Sequence, residues 1–276
     1  MNIVISGLGI IGGSFAKALK KYTDHYITGL NRSPKPLNDA LEYGAIDEIG
    51  TPDSLKKADL LILGTFPQAA VEFVEKNAHL IPQNCIVADT SGIKSEICPR
   101  MTELSKQYGF TFVGCHPMAG KEKNGFSASD ADLFCGASCI LIPGSASFEA
   151  VDKVAKLADK IGFGQIVYST PEEHDRMIAF TSQLPHAIAC SYVLSPVCKK
   201  HKGFSAGSYR DVSRVAHINE KLWTELFMEN KQPLIEEMDI LINNLNDIKN
   251  ALQTGDRDEL EKLLAKSRQV KEGLGE

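Results

Sequence analysis

The chain has 276 residues, 43% of them hydrophobic and 24% charged, with a formal net charge of −5. That composition is ordinary for a globular protein, and the length suits two domains at ~100–200 residues each. The acidic balance without a basic stripe argues against nucleic acid as a partner, and no apolar run approaches the ~20 residues that span a bilayer.

The chain opens on Asn2-Ile3-Val4-Ile5-Ser6-Gly7-Leu8-Gly9-Ile10-Ile11-Gly12. A short β-branched run ends at Gly7, Gly9 and Gly12 complete G-x-G-x-x-G, and residues 14–21 read as helix. This strand–turn–helix context is the one a dinucleotide fingerprint requires. Gly7 permits the tight turn, Gly9 lets backbone approach a pyrophosphate, and Gly12 lets helix and strand pack closely. The helix N-terminus, with Ile10 and Ile11 in its first turn, favours the phosphate charge. A first strand needed for the fold is not a signal peptide.

Further strands are expected at 26–30, 60–65, 85–90, 111–114, 139–143 and 165–168, after the first at 3–6. Most are continuous apolar runs, which suits a parallel sheet buried on both faces. Helical patterns alternate with them; Val151, Val154, Ala155, Ala158 and Ile161 share one helical face. The pattern is that of an α/β fold with a Rossmann-type doubly wound sheet. Near Thr170-Pro171-Glu172-Glu173 the character changes to helix, with Thr170 as N-cap. The expected division is a dinucleotide-binding domain over 1–168 and an all-helical substrate and dimerisation domain over 169–276. Residues 199–208 read as a loop. Leu234, Met238, Leu241, Leu245, Ile248 and Leu252 recur at steps of 4, 3, 4, 3 and 4, the spacing of a packed helical seam and a candidate subunit interface. Asp256 and Glu259 look like a capping box for a last helix.

The seven cysteines, Cys85, Cys98, Cys115, Cys135, Cys139, Cys190 and Cys198, form no C-x-x-C pair. Free thiols in a reducing cytoplasm are the simplest reading. Cys135 and Cys139 have no matching Cys/His pair downstream, so no metal site is expected.

Where an NAD enzyme often carries an acid, after the second strand, this chain has Asn31-Arg32-Ser33. Asn31 removes the charge that would repel a 2′-phosphate, and Arg32 and Ser33 suit one. NADP is favoured over NAD, which Asn31 also accommodates.

Four later segments carry chemistry. Asp89-Thr90-Ser91-Gly92-Ile93-Lys94 follows a strand, where open α/β sheets bind ligands. Gly114-Cys115-His116-Pro117-Met118-Ala119-Gly120 places His116 where a strand meets a Pro/Gly loop, suited to proton transfer near pH 7. Gln183-Leu184-Pro185-His186 lies in a helix that Pro185 should kink. Gly207-Ser208-Tyr209-Arg210-Asp211-Val212-Ser213-Arg214, followed by Trp223, offers an arginine able to fork onto a carboxylate.

Together the His-Pro-Met-Ala-Gly stretch with Glu122, the Pro-His helix and the span from Gly207 to Trp223 resemble the prephenate/arogenate dehydrogenases of tyrosine biosynthesis, over essentially the whole chain. The resemblance implies NAD(P)-dependent oxidative decarboxylation of prephenate to 4-hydroxyphenylpyruvate, with arogenate as the alternative substrate, in a cytoplasmic homodimer joined through the helical domain. It implies that neutral His116 draws the proton of the ring hydroxyl and that His186, Arg214 and Gly207 hold substrate, with Glu122 at the cleft mouth. Family members often carry a serine where this chain has Gly92, and Ser91 is the nearest replacement. Lys94 is implied as a loop-structuring or cofactor-side group. A hydroxyacid or imine reductase would place a lysine where Pro185-His186 stands. A non-catalytic dinucleotide-binding redox sensor would not need His116, His186 and Arg214 together.

Overall fold

The computed structural model describes residues 1–121 and 123–275. Its first part alternates strand and helix: β1 (Asn2–Ser6), α1 (Ile10–Tyr22), β2 (Tyr26–Leu30), α2 (Pro34–Tyr43), β3 (Glu48–Ile49), β4 (Leu60–Leu63), α3 (Pro67–Asn77), β5 (Ile86–Asp89), α4 (Ile97–Tyr108), β6 (Thr111–Pro117), β7 (Ser138–Ile142), α5 (Phe148–Lys160) and β8 (Gln165–Tyr168). The eight strands form one sheet in the order β3-β2-β1-β4-β5-β6-β7-β8. Its topological switch falls between β1 and β4, where ligands bind in open α/β sheets.

The continuous apolar runs divide by parity. Ile3, Ile5, Ile62 and Ala88 enter a core on one face of the sheet with Phe15 and Leu19 of α1 and Val154 of α5. Val4, Leu61, Leu63 and Val87 enter a second core on the other face with Val74 of α3 and Met101 of α4. Side chains alternate along a strand, so a strand buried on both faces must be apolar at every position.

One expectation is corrected. The sheet is not wholly parallel, because β7 runs antiparallel to β6, with His116 opposite Ile140. A parallel return needs a crossover on one face of the sheet, and among its described residues the chain between them holds no helix beyond the short 3-10 turn Phe126–Ala128. That connection packs on α1 instead: Lys17 Nζ donates to the Ser129 carbonyl at 2.9 Å and Asp130 N to Ser14 Oγ at 3.0 Å. β6 also runs three residues beyond the expected 111–114, so His116 is a strand residue. The two-residue edge strand β3 is too short to leave a sequence signal.

Helices follow: α6 (Pro171–Ile178), α7 (Leu184–Val193), α8 (Gly207–Ser213), α9 (Glu220–Glu229), α10 (Lys231–Thr254) and α11 (Arg257–Gly273). Thr170 Oγ1 accepts from Glu173 N and Asp256 Oδ1 from Glu259 N, which are the expected caps. Pro185 lies inside helix, where a π-helical turn, Ala179–Gln183, immediately precedes it and Gln183 keeps helical backbone angles; the local irregularity accommodates the missing N–H.

By packing, the chain forms two units, Met1–Ile178 with His217–Asn230, and Ala179–Ala216 with Lys231–Glu276. By this packing α6 and α9 group with the sheet. In the second unit α7 packs against α8 and the turn Arg214–Ala216, and α10 packs against α11.

The closest approach in the β1–α1 turn is at Gly12, where an added Cβ would lie 1.9 Å from the Gly7 carbonyl oxygen. Gly12→Ala is expected to cost about 2 kcal/mol through overpacking, read as a lowered denaturation midpoint. An unchanged midpoint would contradict this contact.

Candidate active site

The carboxyl ends of β1, β4 and β5, with β6 beside them, gather the predicted residues of the first unit. Gly7 adopts φ +94°, and a Cβ there would strike Gly64 of the β4 end at 2.7 Å. At Gly9, by contrast, a Cβ would meet nothing within 4 Å. Gly9 is also the N-cap of α1 and supplies no side-chain cap. The first-turn N–H groups of Ile10, Ile11 and Gly12 thus face an open cradle that a pyrophosphate fits. Gly7, Gly9, Ile10, Ile11 and Gly12 therefore sit together as the fingerprint requires.

Asn31 is held within this turn: its Oδ1 accepts from Leu8 N at 3.1 Å and its Nδ2 donates to the Ser33 carbonyl at 3.0 Å. Arg32 and Ser33 are exposed, and Ser33 is the N-cap of α2 without a side-chain cap bond.

Lys94 is fully buried. Its ammonium donates to Asp89 Oδ2 at 2.5 Å and to the Cys115 carbonyl at 2.6 Å. Zero exposure corrects the cofactor-side reading and leaves the loop-structuring one. Asp89 accepts from Ser91 N and Cys115 N as well, so one ion pair ties the β5 loop to β6.

That tie fixes His116. Its Nδ1 lies 2.9 Å from His174 Nε2, and His174 Nδ1 lies 2.6 Å from Asp175 Oδ1. Asp175 also accepts from Lys94 N and Ser95 N, and its own carbonyl accepts from Asn230 Nδ2. Burial opposes ionisation of Asp175, but hydrogen bonds from His174, Ser95 and Lys94 outweigh it and hold the carboxyl below its ordinary range. An ionised Asp175 accepts a hydrogen bond from His174 Nδ1–H. His174 Nε2 then accepts from His116 Nδ1–H, and His116 Nε2 is left with its lone pair. Burial, reinforced by His174 and Lys94, keeps His116 well below the usual imidazole pKa of 6.5. The geometry presents a neutral base in one tautomer.

Ser91 does not join it directly. Its Oγ is buried and has no hydrogen-bond partner among the described residues. Gly92 is the residue that faces His116: a Cβ there would lie 3.9 Å from Nε2.

In the second unit, His186 Nδ1 donates to the Ser182 carbonyl at 2.7 Å. Gly207 begins α8, and Arg214 is exposed at the turn against which α7 packs. Glu122 lies outside the described residues. Sequence reasoning missed His174, Asp175 and Asn230. An adjacent His-Asp pair on a helix start was the available signal, masked by the capping pattern of Thr170 to Glu173.

Residues 15–167 match the nucleotide-binding domain of prephenate dehydrogenase, and residues 170–266 its dimerization domain. Prephenate dehydrogenase of Bacillus subtilis is 29% identical over 99% of this chain and 76% of its own length. Cyclohexadienyl dehydrogenase of Zymomonas mobilis is 31% identical over 94% of this chain and 91% of its own. Among solved structures, A. aeolicus prephenate dehydrogenase in complex with hydroxyphenyl propionate and NAD+ superposes with a TM-score of 0.88 at 26% identity, covering 99% of this chain and 98% of that one. Synechocystis arogenate dehydrogenase superposes with a TM-score of 0.85 at 25% identity, covering 99% and 100%. With a glycine cradle and a tautomer-fixed histidine at one sheet edge, the chain belongs to the prephenate dehydrogenase family, whose members are NAD(P)-dependent dehydrogenases.

Proposed function

We propose that this protein oxidatively decarboxylates prephenate to 4-hydroxyphenylpyruvate, with arogenate as the alternative substrate. The observation that carries the reading is the His116–His174–Asp175 relay, which leaves Nε2 of a neutral imidazole as acceptor. The nicotinamide cofactor supplies a hydride acceptor when bound. His116 Nε2 takes the proton of the ring hydroxyl as the hydride leaves its carbon. The ring then loses its carboxylate as carbon dioxide, and the electrons of that carbon–carbon bond aromatise the ring. The resulting phenolate oxygen takes the proton back from His116. The relay stabilises the transient imidazolium, since a buried carboxylate lies one imidazole away. Arg214 and His186 are the proposed substrate anchors, Arg214 by forking onto a carboxylate, with Gly207 beside them and Glu122 at the cleft mouth. Ser91 stays a candidate to assist at the hydroxyl.

The proposed cofactor preference is NADP. The exposed Arg32, the uncapped Ser33 at the start of α2 and the absence of an acid at 30–33 together suit a 2′-phosphate. The proposed assembly is a homodimer through α10. Leu245 and Leu252 of its heptad seam are 56% and 64% exposed in the single chain, as are Ile235 and Ile242 at 43% and 49%. A cytoplasmic location is supported by seven free thiols; no helix among the described residues is long and apolar enough to cross a membrane.

Initial rates at the reduced-nicotinamide absorbance, with prephenate or arogenate and each cofactor, test the reaction. Turnover is expected with at least one pairing, and none with any would refute it. His116→Asn is expected to lower kcat by roughly 10²–10⁴ with cofactor affinity kept. The acid limb of kcat/KM is expected well below pH 6.5, since the rate is lost only where His116 becomes protonated; a limb at or above that value contradicts a neutral buried base. Arg32→Ala is expected to raise the Kd for NADP about tenfold, the loss of a charge-assisted contact, while that for NAD holds; equal effects on both would remove the 2′-phosphate role. In sedimentation the parent is expected as a dimer and Leu245→Glu with Leu252→Glu as a monomer; a monomeric parent would end the α10 assignment.

A further inference from the structure

Glu229 ends α9, one residue before buried Asn230, which donates to the Asp175 carbonyl at 2.8 Å. The Oε2 atom of Glu229 is buried and has no hydrogen-bond partner among the described residues. The charged groups that bear on it are all acids: Glu225 one turn back on α9, Glu96 at the N-cap of α4, and Asp175 of α6. The titratable groups next to these are engaged elsewhere. Lys94 keeps its ammonium on Asp89 and the Cys115 carbonyl, and His174 turns its two nitrogens to Asp175 and His116. No group of three or more His, Cys, Asp or Glu among the described residues is arranged to hold a metal ion. The cation that fits this cluster is a proton.

The proton belongs on Glu229. A buried carboxylate without a partner neutralises rather than staying charged. A like charge one turn away on the same helix repels it, and a helix C-terminus disfavours a negative side chain. Asp175 does not take the proton, because Lys94 N, Ser95 N and His174 all donate to it. Burial, reinforced by Glu225, Glu96 and Asp175, raises Glu229 to about 7. Glu229 therefore changes charge in a range where His116 stays neutral.

We propose that Glu229 is a positioning residue for the relay, seating the last turn of α9 while it is uncharged. In that form the turn lies against the acids of α4 and α6, and Asn230 reaches the Asp175 carbonyl. Loss of the proton sets Glu229 against Glu96 and Asp175 and withdraws the turn, with Asn230, from α6. The relay then loses an anchor on the residue that supplies its carboxylate. The effect on rate rests on the proposed reaction; the seating of α9 does not.

Trp223, the only tryptophan, lies on α9 and packs edge-on to Phe227 at 5.6 Å. Its fluorescence reports the seating of α9 without turnover. The parent and Glu229→Gln are compared from pH 5 to pH 8.5 in fluorescence, thermal unfolding and kcat/KM on prephenate. Parent fluorescence is expected to titrate with a midpoint near 7. Parent kcat/KM is expected to fall about tenfold between pH 6 and pH 8, as for one essential group titrating midway. Glu229→Gln keeps the uncharged shape and is expected to hold its fluorescence and its pH 6 rate within about twofold over that span. The folded state keeps a proton that the unfolded chain gives up near 4.5, so parent stability falls as pH rises from there through 7. The unfolding midpoint of Glu229→Gln is expected to gain on the parent's over that window, whereas a merely structural role would shift it equally at every pH. Parallel pH profiles of kcat/KM in parent and variant overturn the proposal, as does parent fluorescence that stays flat between pH 6 and pH 8. Should Glu229→Gln fail to fold, the parent titration decides. A parent inactive on prephenate and arogenate, with fluorescence that titrates in the parent and not in Glu229→Gln, refutes the proposed reaction and leaves the seating role standing.

Discussion

The buried pair of Asp89 and Lys94 is the constraint on which the site depends. Neither side chain has any exposure. Breaking such a pair by removing one partner leaves a buried charge and costs roughly 3–5 kcal/mol. Asp89 ends β5, and its two oxygens reach Ser91 N, Lys94 Nζ and Cys115 N. Lys94 completes the circuit on the Cys115 carbonyl. The residue after Cys115 is His116, the proposed base. A one-residue slip in β6 would turn His116 to the other face, and these bonds forbid it.

The same loop orders the relay from its far side. The backbone N–H groups of Lys94 and Ser95 both end on the Asp175 carboxylate. Asp175 can therefore stay ionised while buried, and its charge reaches His116 through one neutral imidazole. Direct contact between an aspartate and His116 would raise the base's pKa and favour its protonated form. An intervening His174 fixes the tautomer while burial keeps the base neutral. The arrangement trades intrinsic basicity for availability of the lone pair near neutral pH.

Much of this was legible in the sequence. G-x-G-x-x-G after a β-branched run names its own geometry, because only glycine meets the contacts at Gly7 and Gly12. The apolar runs identify strands buried on both faces, and His116 beside Pro117 stands out as chemistry. Other features were not legible. The antiparallel β7 follows from a connection that lacks a crossover helix, a global property of the sheet. Lys94 reads as either a loop-structuring or a cofactor-side group, and only the fold shows it buried against Asp89. The burial of Ser91 Oγ without a partner among the described residues, and the approach of Gly92 to His116, depend on the folded loop.

The sequence by itself determined the class of fold, the cradle at Gly9 and the family, because these rest on local spacing and on backbone sterics that any chain must obey. The tertiary structure alone decided that His174 and Asp175 stand behind His116, and that α9 returns to the sheet to bring Asn230 onto Asp175 and Leu226 beside Gly92. Those partners are separated by about sixty residues or more in the chain or sit in different packing layers. Hydrogen bonds over such distances leave no periodicity for a sequence to display, since they depend on where whole elements come to rest.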